Sequence, residues 1–279
     1  MVRSNAVRSV LSKTSGFIAE AGFMRSLTPA RNCTFGCTYC YVPTMRVQGG
    51  LRPEDWKRWG QFTTIKSNAA ELLRRELRAG QKIYCSPLVD PYQPAEAEAR
   101  LMPGILDALL ESPPRVCALQ TRGPLILRDL DRLQTLAKST TLRVSFSITT
   151  NREDVRKLYE PLCAPIAERI AAIRALRAAG IETYATLAPL LPCDPEELAR
   201  LAIEASGRDL IGDPLHVRGT KPRGATTREG ALRVSQEHGH EAWLDPGFQN
   251  SIVERIASAA QGAGFTFAIG PRGFALLAR

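Results

Sequence analysis

From residue 80 onward the chain alternates short apolar runs with longer stretches whose apolar positions recur every three or four residues. Residues 81–85, 115–120, 142–148, 181–188 and 210–217 predict strands, and a first strand is expected near 23–27, ahead of a cluster of cysteines. Helices are predicted over 97–110, 127–138, 160–179 and 195–206, the third long and closed by Gly180. Strands alternating with helices of about 10 to 20 residues make βαβ units and a parallel sheet. About six units fit before residue 220, fewer than the eight of a closed barrel. The expected fold is therefore α/β, a partial (βα)6 TIM-like barrel. Residues 219–240 are polar, basic and contain glycine, which reads as loop; a helix over 249–261 and a strand over 265–269 follow. A soft boundary near 220 then divides a core, 1–220, from a C-terminal extension, 221–279, expected to serve as a lid, a substrate-binding element or a dimer contact.

Composition narrows the class. With 279 residues, 44% hydrophobic and 23% charged, the chain has the balance of a soluble globular protein with a substantial core. It has no apolar run of about 18 residues, so no membrane helix is expected. The basic start, Met1 to Lys13, lacks the apolar stretch of a signal peptide, and the cytoplasm is the expected location. A formal charge of +9 favours anionic partners, nucleic acid among them. The excess gathers in Arg3, Arg8, Lys13, Arg25, Arg31, Arg46, Arg52, Lys57 and Arg58, and again in Arg218, Lys221, Arg223 and Arg228. Neither group is a dense tract, and a solvated basic surface accounts for them equally well.

Seven cysteines, three of them within eight positions, do not make a secreted disulfide framework. The segment Ala30-Arg-Asn-Cys33-Thr-Phe-Gly-Cys37-Thr-Tyr-Cys40-Tyr41 carries the chemistry. Cys-x3-Cys-x2-Cys in a tight loop aims three thiolates at one point, with Gly36 permitting the turn. Thiolates suit iron–sulfur clusters and zinc. Structural zinc takes four ligands, and no fourth stands nearby: His216, His238 and His240 lie far along the chain, and Cys85 falls inside a strand. Three ligands leave one iron of a cubane open, which favours an iron–sulfur cluster that acts on a bound molecule.

This spacing, with Tyr39 just before the last cysteine, resembles the signature of the radical S-adenosylmethionine (SAM) superfamily. The resemblance implies a radical SAM type of partial barrel and a [4Fe-4S] cluster on Cys33, Cys37 and Cys40, with SAM chelated at the open iron. It also implies one-electron cleavage to a 5′-deoxyadenosyl radical that abstracts hydrogen from a substrate. A second set of residues is similar to proteins related to spore photoproduct lyase: Val89-Asp90-Pro91-Tyr92-Gln93-Pro94-Ala95-Glu96, Thr121-Arg122-Gly123, Ser145-Phe-Ser147-Ile-Thr149, Glu168-Arg169 and Leu187-Ala188-Pro189. The likeness spans about residues 20 to 205.

Ligands of parallel sheets bind at the carboxyl ends of strands, where these segments fall. Arg122 is expected to pair with the cofactor carboxylate, with a surface arginine as the plain alternative. Ser147 would bond the ribose or methionine part, or be satisfied by backbone. Asp90 would meet the cofactor ammonium, or merely open the turn before Pro91. Tyr39 would pack near the adenine, or simply keep the cluster dry. Glu168 and Arg169 read as a structural ion pair outside the site. By the resemblance, the hydrogen-atom donor of the second strand aligns with Pro87, two residues after Cys85, so Cys85 on the same strand face is the candidate catalytic residue; a core thiol is the favoured reading. Cys117 reads as core, Cys163 as a helix-start filler, and Cys193 as a loop residue that could face the mouth. His238 and His240 make a weak metal pair. The expected function is that of a radical SAM enzyme served by a flavodoxin or ferredoxin. A DNA repair lyase and a zinc-dependent nucleic-acid-binding protein without catalysis are the alternatives.

Overall fold

The computed structural model describes residues 1–44, 58–217 and 228–279. Its strands are β1 (Val2–Asn5), β2 (Leu11–Lys13), β3 (Arg25–Leu27), β4 (Ala30–Arg31), β5 (Thr63–Lys66), β6 (Lys82–Cys85), β7 (Val116–Thr121), β8 (Thr141–Ser147), β9 (Glu182–Leu187), β10 (Leu210–Gly212) and β11 (Phe267–Ile269). Eight form one sheet in the order β11-β10-β9-β8-β7-β6-β3-β2. β3, β6, β7, β8, β9 and β10 are the six expected parallel strands, and β11 adds a seventh parallel strand from the C-terminal extension. β2 pairs antiparallel with β3 at the other edge. Among the described residues the sheet is not closed into a barrel. A small second sheet, β1-β5-β4, leads into the cysteine loop.

Side chains of a strand alternate between faces, and here each face has its own core. One side carries Ile83, Cys85, Cys117, Leu119, Val144 and Phe146, buried against helical residues such as Leu106, Leu133, Ile173 and Leu198. The other side carries Tyr84, Val116, Ala118, Tyr184 and Ile211, packed with Phe23, Phe274, Leu277 and Ala278. The inner core is thus partly filled by residues 270–278, and Lys82 Nζ fixes them by donating to the Ala278 carbonyl at 2.6 Å.

The helices are α1 (Gly16–Glu20), α2 (Ala69–Glu76), α3 (Glu96–Ala99), α4 (Leu101–Glu111), α5 (Leu130–Ala137), α6 (Glu153–Tyr159), α7 (Ile166–Ala178), α8 (Pro195–Ser206), α9 (Glu229–Glu237), α10 (Pro246–Gly262) and α11 (Gly270–Phe274). Three differ instructively from expectation. The helix predicted over 97–110 is split at Arg100, at φ 47°. There the buried Glu96 carboxylate accepts from Leu101 N at 3.0 Å and Met102 N at 2.9 Å, capping donors that a helix start leaves open. The helix predicted over 160–179 begins only at Ile166, because Pro161 and Pro165 disfavour helical backbone in the residues before them. Glu160 therefore ends α6 instead of opening α7. The loop expected over 219–240 contains α9, ordered by burial of Ala231 and Ser235.

The extension divides its roles. α10 packs on α8, placing Ile252, Ile256 and Ala260 in the helix-side core, while Ala231 of α9 joins the cluster around the cysteine loop. The expected boundary near 220, together with Arg46, Arg52, Lys57, Arg218, Lys221 and Arg223, lies outside the described residues. Among the described residues no helix is long and apolar enough to cross a membrane.

Candidate functional site

The cysteine loop follows β4 and is pinned at several points. Asn32, at φ 64°, accepts Cys33 N on its own side chain at 2.8 Å. Gln93 Oε1 takes Thr34 N at 2.7 Å and the Thr34 hydroxyl at 3.0 Å. Within the loop Gly36 N donates to Cys33 O and Cys40 N to Cys37 O, while Thr38 N reaches Tyr159 O at 3.0 Å. Gly36 has φ 60°, and a Cβ on Gly60 would stand 2.8 Å from its Cα. Both positions therefore need glycine, the first for its backbone and the second for the close approach.

Cys33 and Cys37 are buried and Cys40 is half-buried. The loop gathers three thiols in one segment, yet among the described residues no three His, Cys, Asp or Glu side chains form a ready metal-ligand set. Cys37 Sγ instead lies 3.8 Å from Cys163 Sγ, so Cys163, expected to be a mere helix-start filler, belongs to the site's surroundings. Burial pushes Cys33 well above the ordinary thiol value and Cys40 up to about 12. Cys37 goes the other way: the contact with Cys163, and then the Arg122 charge, outweigh burial.

Behind the loop is a buried ion group that joins distant segments. Arg122 Nη1 donates to the Tyr39 hydroxyl and to Glu160 Oε1, and the Tyr39 hydroxyl donates to the same Glu160 oxygen. Thr149 adds a hydroxyl bond to Glu160 Oε1 at 2.9 Å. Arg169 Nη2 approaches Glu160 Oε2 at 2.6 Å. Glu160 is fully buried; burial would raise its pKa, but Arg169, Arg122 and Tyr39 together hold it at about 2. The expected Glu168–Arg169 pair is thus corrected: Glu168 is exposed, and Arg169 faces Glu160.

Arg122 is aimed by its neighbours. Asp90 accepts Tyr92 N at 2.9 Å, the Thr121 hydroxyl at 2.6 Å and Arg122 N at 2.8 Å. The Asp90 carboxylate thus organises the turn and ties it to the end of β7. Gly123 N donates to Thr121 Oγ1 at 2.9 Å, and a Cβ at Gly123 would collide with the Tyr92 carbonyl. The Thr121-Arg122-Gly123 segment is a built turn. Ser147 ends the neighbouring strand, where Phe146 pairs with Thr121. Its side chain is 1% exposed, and among the described residues its hydroxyl has no hydrogen-bond partner. An unmet buried hydroxyl is uncommon and suits a site that receives a polar ligand.

The structure also places the remaining candidates. Cys85 lies in the helix-side core with Cys117, on the face opposite Tyr84, and burial raises its pKa well above the ordinary thiol value. That orientation argues against a hydrogen-donor role in the inner space. Cys193 packs against the helix-side core instead of facing the mouth. His240 bonds the Tyr159 hydroxyl through Nδ1 at 3.2 Å and stacks on that ring, which accounts for it without a metal. Glu160 is the residue the sequence did not single out; Gln93, Thr149 and Arg169 stood in the segments quoted for the resemblance without these contacts assigned to them. The one signal available was Pro161, which denies Glu160 a helical place.

A mostly parallel sheet, a three-thiol loop bonded through Tyr39 to an arginine at one strand end, and a buried serine ending the next strand mark an α/β protein with a thiol-lined site. The model of the radical SAM superfamily matches residues 27–202, and the chain belongs to that superfamily. It is 29% identical over 273 residues to an uncharacterized protein of Mycobacterium tuberculosis, covering 90% of this chain and 77% of the relative. An uncharacterized protein of Methanocaldococcus jannaschii is 28% identical over 160 residues, covering 57% of this chain and 58% of the relative. Among solved structures, a spore photoproduct lyase variant superposes with a TM-score of 0.64 at 15% identity, covering 96% of this chain and 81% of that one. Another, with AdoMet and dinucleoside spore photoproduct bound, gives 0.56 at 17%, covering 85% and 66%. At such identities the likeness is one of fold.

Proposed function

We propose that this chain is an enzyme that cleaves SAM reductively, with Cys33, Cys37 and Cys40 as the protein ligands of a [4Fe-4S] cluster. The observation that carries the reading is the adjacency of Arg122 and the unpartnered Ser147 hydroxyl at neighbouring strand ends, beside a loop of three thiols. The donor set fits the group: soft thiols for iron, a guanidinium for a carboxylate and an unused hydroxyl for a sugar or amino acid. When bound, the cluster and SAM supply one-electron cleavage of a sulfonium and hydrogen abstraction from a substrate. Arg122 binds the cofactor carboxylate, Ser147 donates its hydroxyl to the cofactor, and Tyr39 walls the site while holding Arg122. Asp90 serves through the Arg122 backbone. A flavodoxin or ferredoxin supplies the electron.

For the substrate, the charge of +9 and the fold shared with spore photoproduct lyase support nucleic acid. Repair of a DNA lesion is the second reading, and it requires a hydrogen source other than Cys85. If several phosphates are engaged, duplex affinity falls by orders of magnitude, about 10³ or more, between low and moderate salt; flat, weak binding removes nucleic acid from the reading.

The central test is anaerobic. Reconstitution with iron and sulfide should give visible absorbance, and dithionite with SAM should yield 5′-deoxyadenosine, lost in Cys37→Ala. A normally formed cluster with no product, with or without nucleic acid, would overturn the cleavage reading. A colourless protein that retains zinc would overturn the cluster.

A further inference from the structure

The buried ion group behind the cysteine loop holds an odd number of charges. Glu160 uses both oxygens: Oε1 accepts Arg122, Tyr39 and Thr149, and Oε2 faces Arg169 at 2.6 Å. Arg169 is 1% exposed, and its Nε is fixed by the Ala164 carbonyl at 3.0 Å, so its head cannot swing to solvent. Two guanidinium groups and one carboxylate leave one positive charge at the head of Arg122, the Asp90 carboxylate being engaged on the backbone side of that residue. With Arg122 and Glu160 alone the group would be neutral, and an incoming carboxylate would meet a guanidinium whose charge Glu160 had already cancelled. In a buried setting that difference is poorly screened.

We infer that Arg169 is a positioning residue: it offsets Glu160, so that Arg122, oriented by Glu160 and Tyr39, keeps a net positive charge for the carboxylate of SAM. This rests on the reading of Arg122 given above. The device separates two tasks that a lone arginine cannot perform together. Glu160 supplies the geometry, and Arg169 restores the charge that this geometry would consume. A residue that merely cements α7 to the turn after α6 would have no such dependence on the sign of its neighbours.

The test measures SAM affinity on cluster-loaded, unreduced protein by anaerobic calorimetry, with cluster content read from visible absorbance. Arg169→Met should weaken binding about tenfold or more, the scale of one charge-assisted hydrogen bond, at unchanged cluster content. The double variant Glu160→Gln with Arg169→Met restores the single positive charge and should recover most of the loss. Arg169→Lys should bind close to wild type. If Arg122→Met binds SAM normally, the assignment of Arg122 itself is wrong. If Arg122→Met is impaired while Arg169→Met is not, or the double variant is no better than Arg169→Met, the charge-balance inference fails. Failure of both Arg169→Met and the double variant to fold or load the cluster would likewise reduce Arg169 to a packing role and overturn it.

Discussion

The two ends of the same strands are built on opposite principles. At the carboxyl ends stand Arg122, Ser147, Asp90 and, just behind, Glu160 with Arg169, a set of buried charges and one unmet hydroxyl. Toward the amino ends the inner face meets Phe23, Phe274, Leu277 and Ala278, an apolar floor. The floor stabilises through burial and asks nothing of a ligand. The mouth costs stability, since buried charges repay their desolvation only when fully paired. The protein thus concentrates its polar burden at one edge and offsets it at the other.

Substitutions at the two edges should therefore fail in different ways. The largest effect is expected at the thiols: Cys37→Ala should abolish 5′-deoxyadenosine formation with little change in melting temperature, and residual product above background would break the contrast. Next is the floor. Phe274→Ala should cost about 3–5 kcal/mol of stability in chemical denaturation, while the surviving folded protein binds SAM normally; a selective loss of affinity would show that the floor shapes the site. Ser147→Ala should leave stability unchanged or slightly raised, because the lost hydroxyl has no partner, and should weaken SAM binding by about 1 kcal/mol. A stability loss without an affinity change would reassign that serine to the fold. The smallest effect on chemistry is expected for Cys85→Ala: SAM cleavage and product distribution should match wild type, with a modest cost in stability from the cavity. A changed product distribution would return Cys85 to the mechanism.

How much of this was legible in the sequence depends on the distance over which each feature is set. Strands β6 to β9 follow from short apolar runs between turns, a local signal, and the cysteine loop from eight consecutive positions. Arg122 and Ser147 are found by their places at strand ends. Glu160 is not, because its partners Tyr39 and Arg122 lie 121 and 38 positions away, and a glutamate before a helical stretch reads as an ordinary helix start. α9 was missed for a similar reason: its apolar positions are few, and its order comes from contact with the cysteine loop and Tyr159. For Cys85 the spacing fixes parity along a strand but does not say which parity faces inward, and its place in the helix-side core agrees with the core-thiol reading.

The contact between Lys82 and Ala278 spans 196 positions, and β11 joins a sheet whose other parallel strands all precede it. During synthesis the thiol loop emerges early, while the segment that completes the sheet and fills its inner face emerges after every strand it touches. Contacts so remote in sequence form slowly, since the chain entropy they consume is spent before they stabilise anything. Between those two events the nascent protein carries a cysteine-rich loop on an unfinished scaffold. The thiol loop is thereby complete in sequence well before the segment that finishes the sheet beneath it.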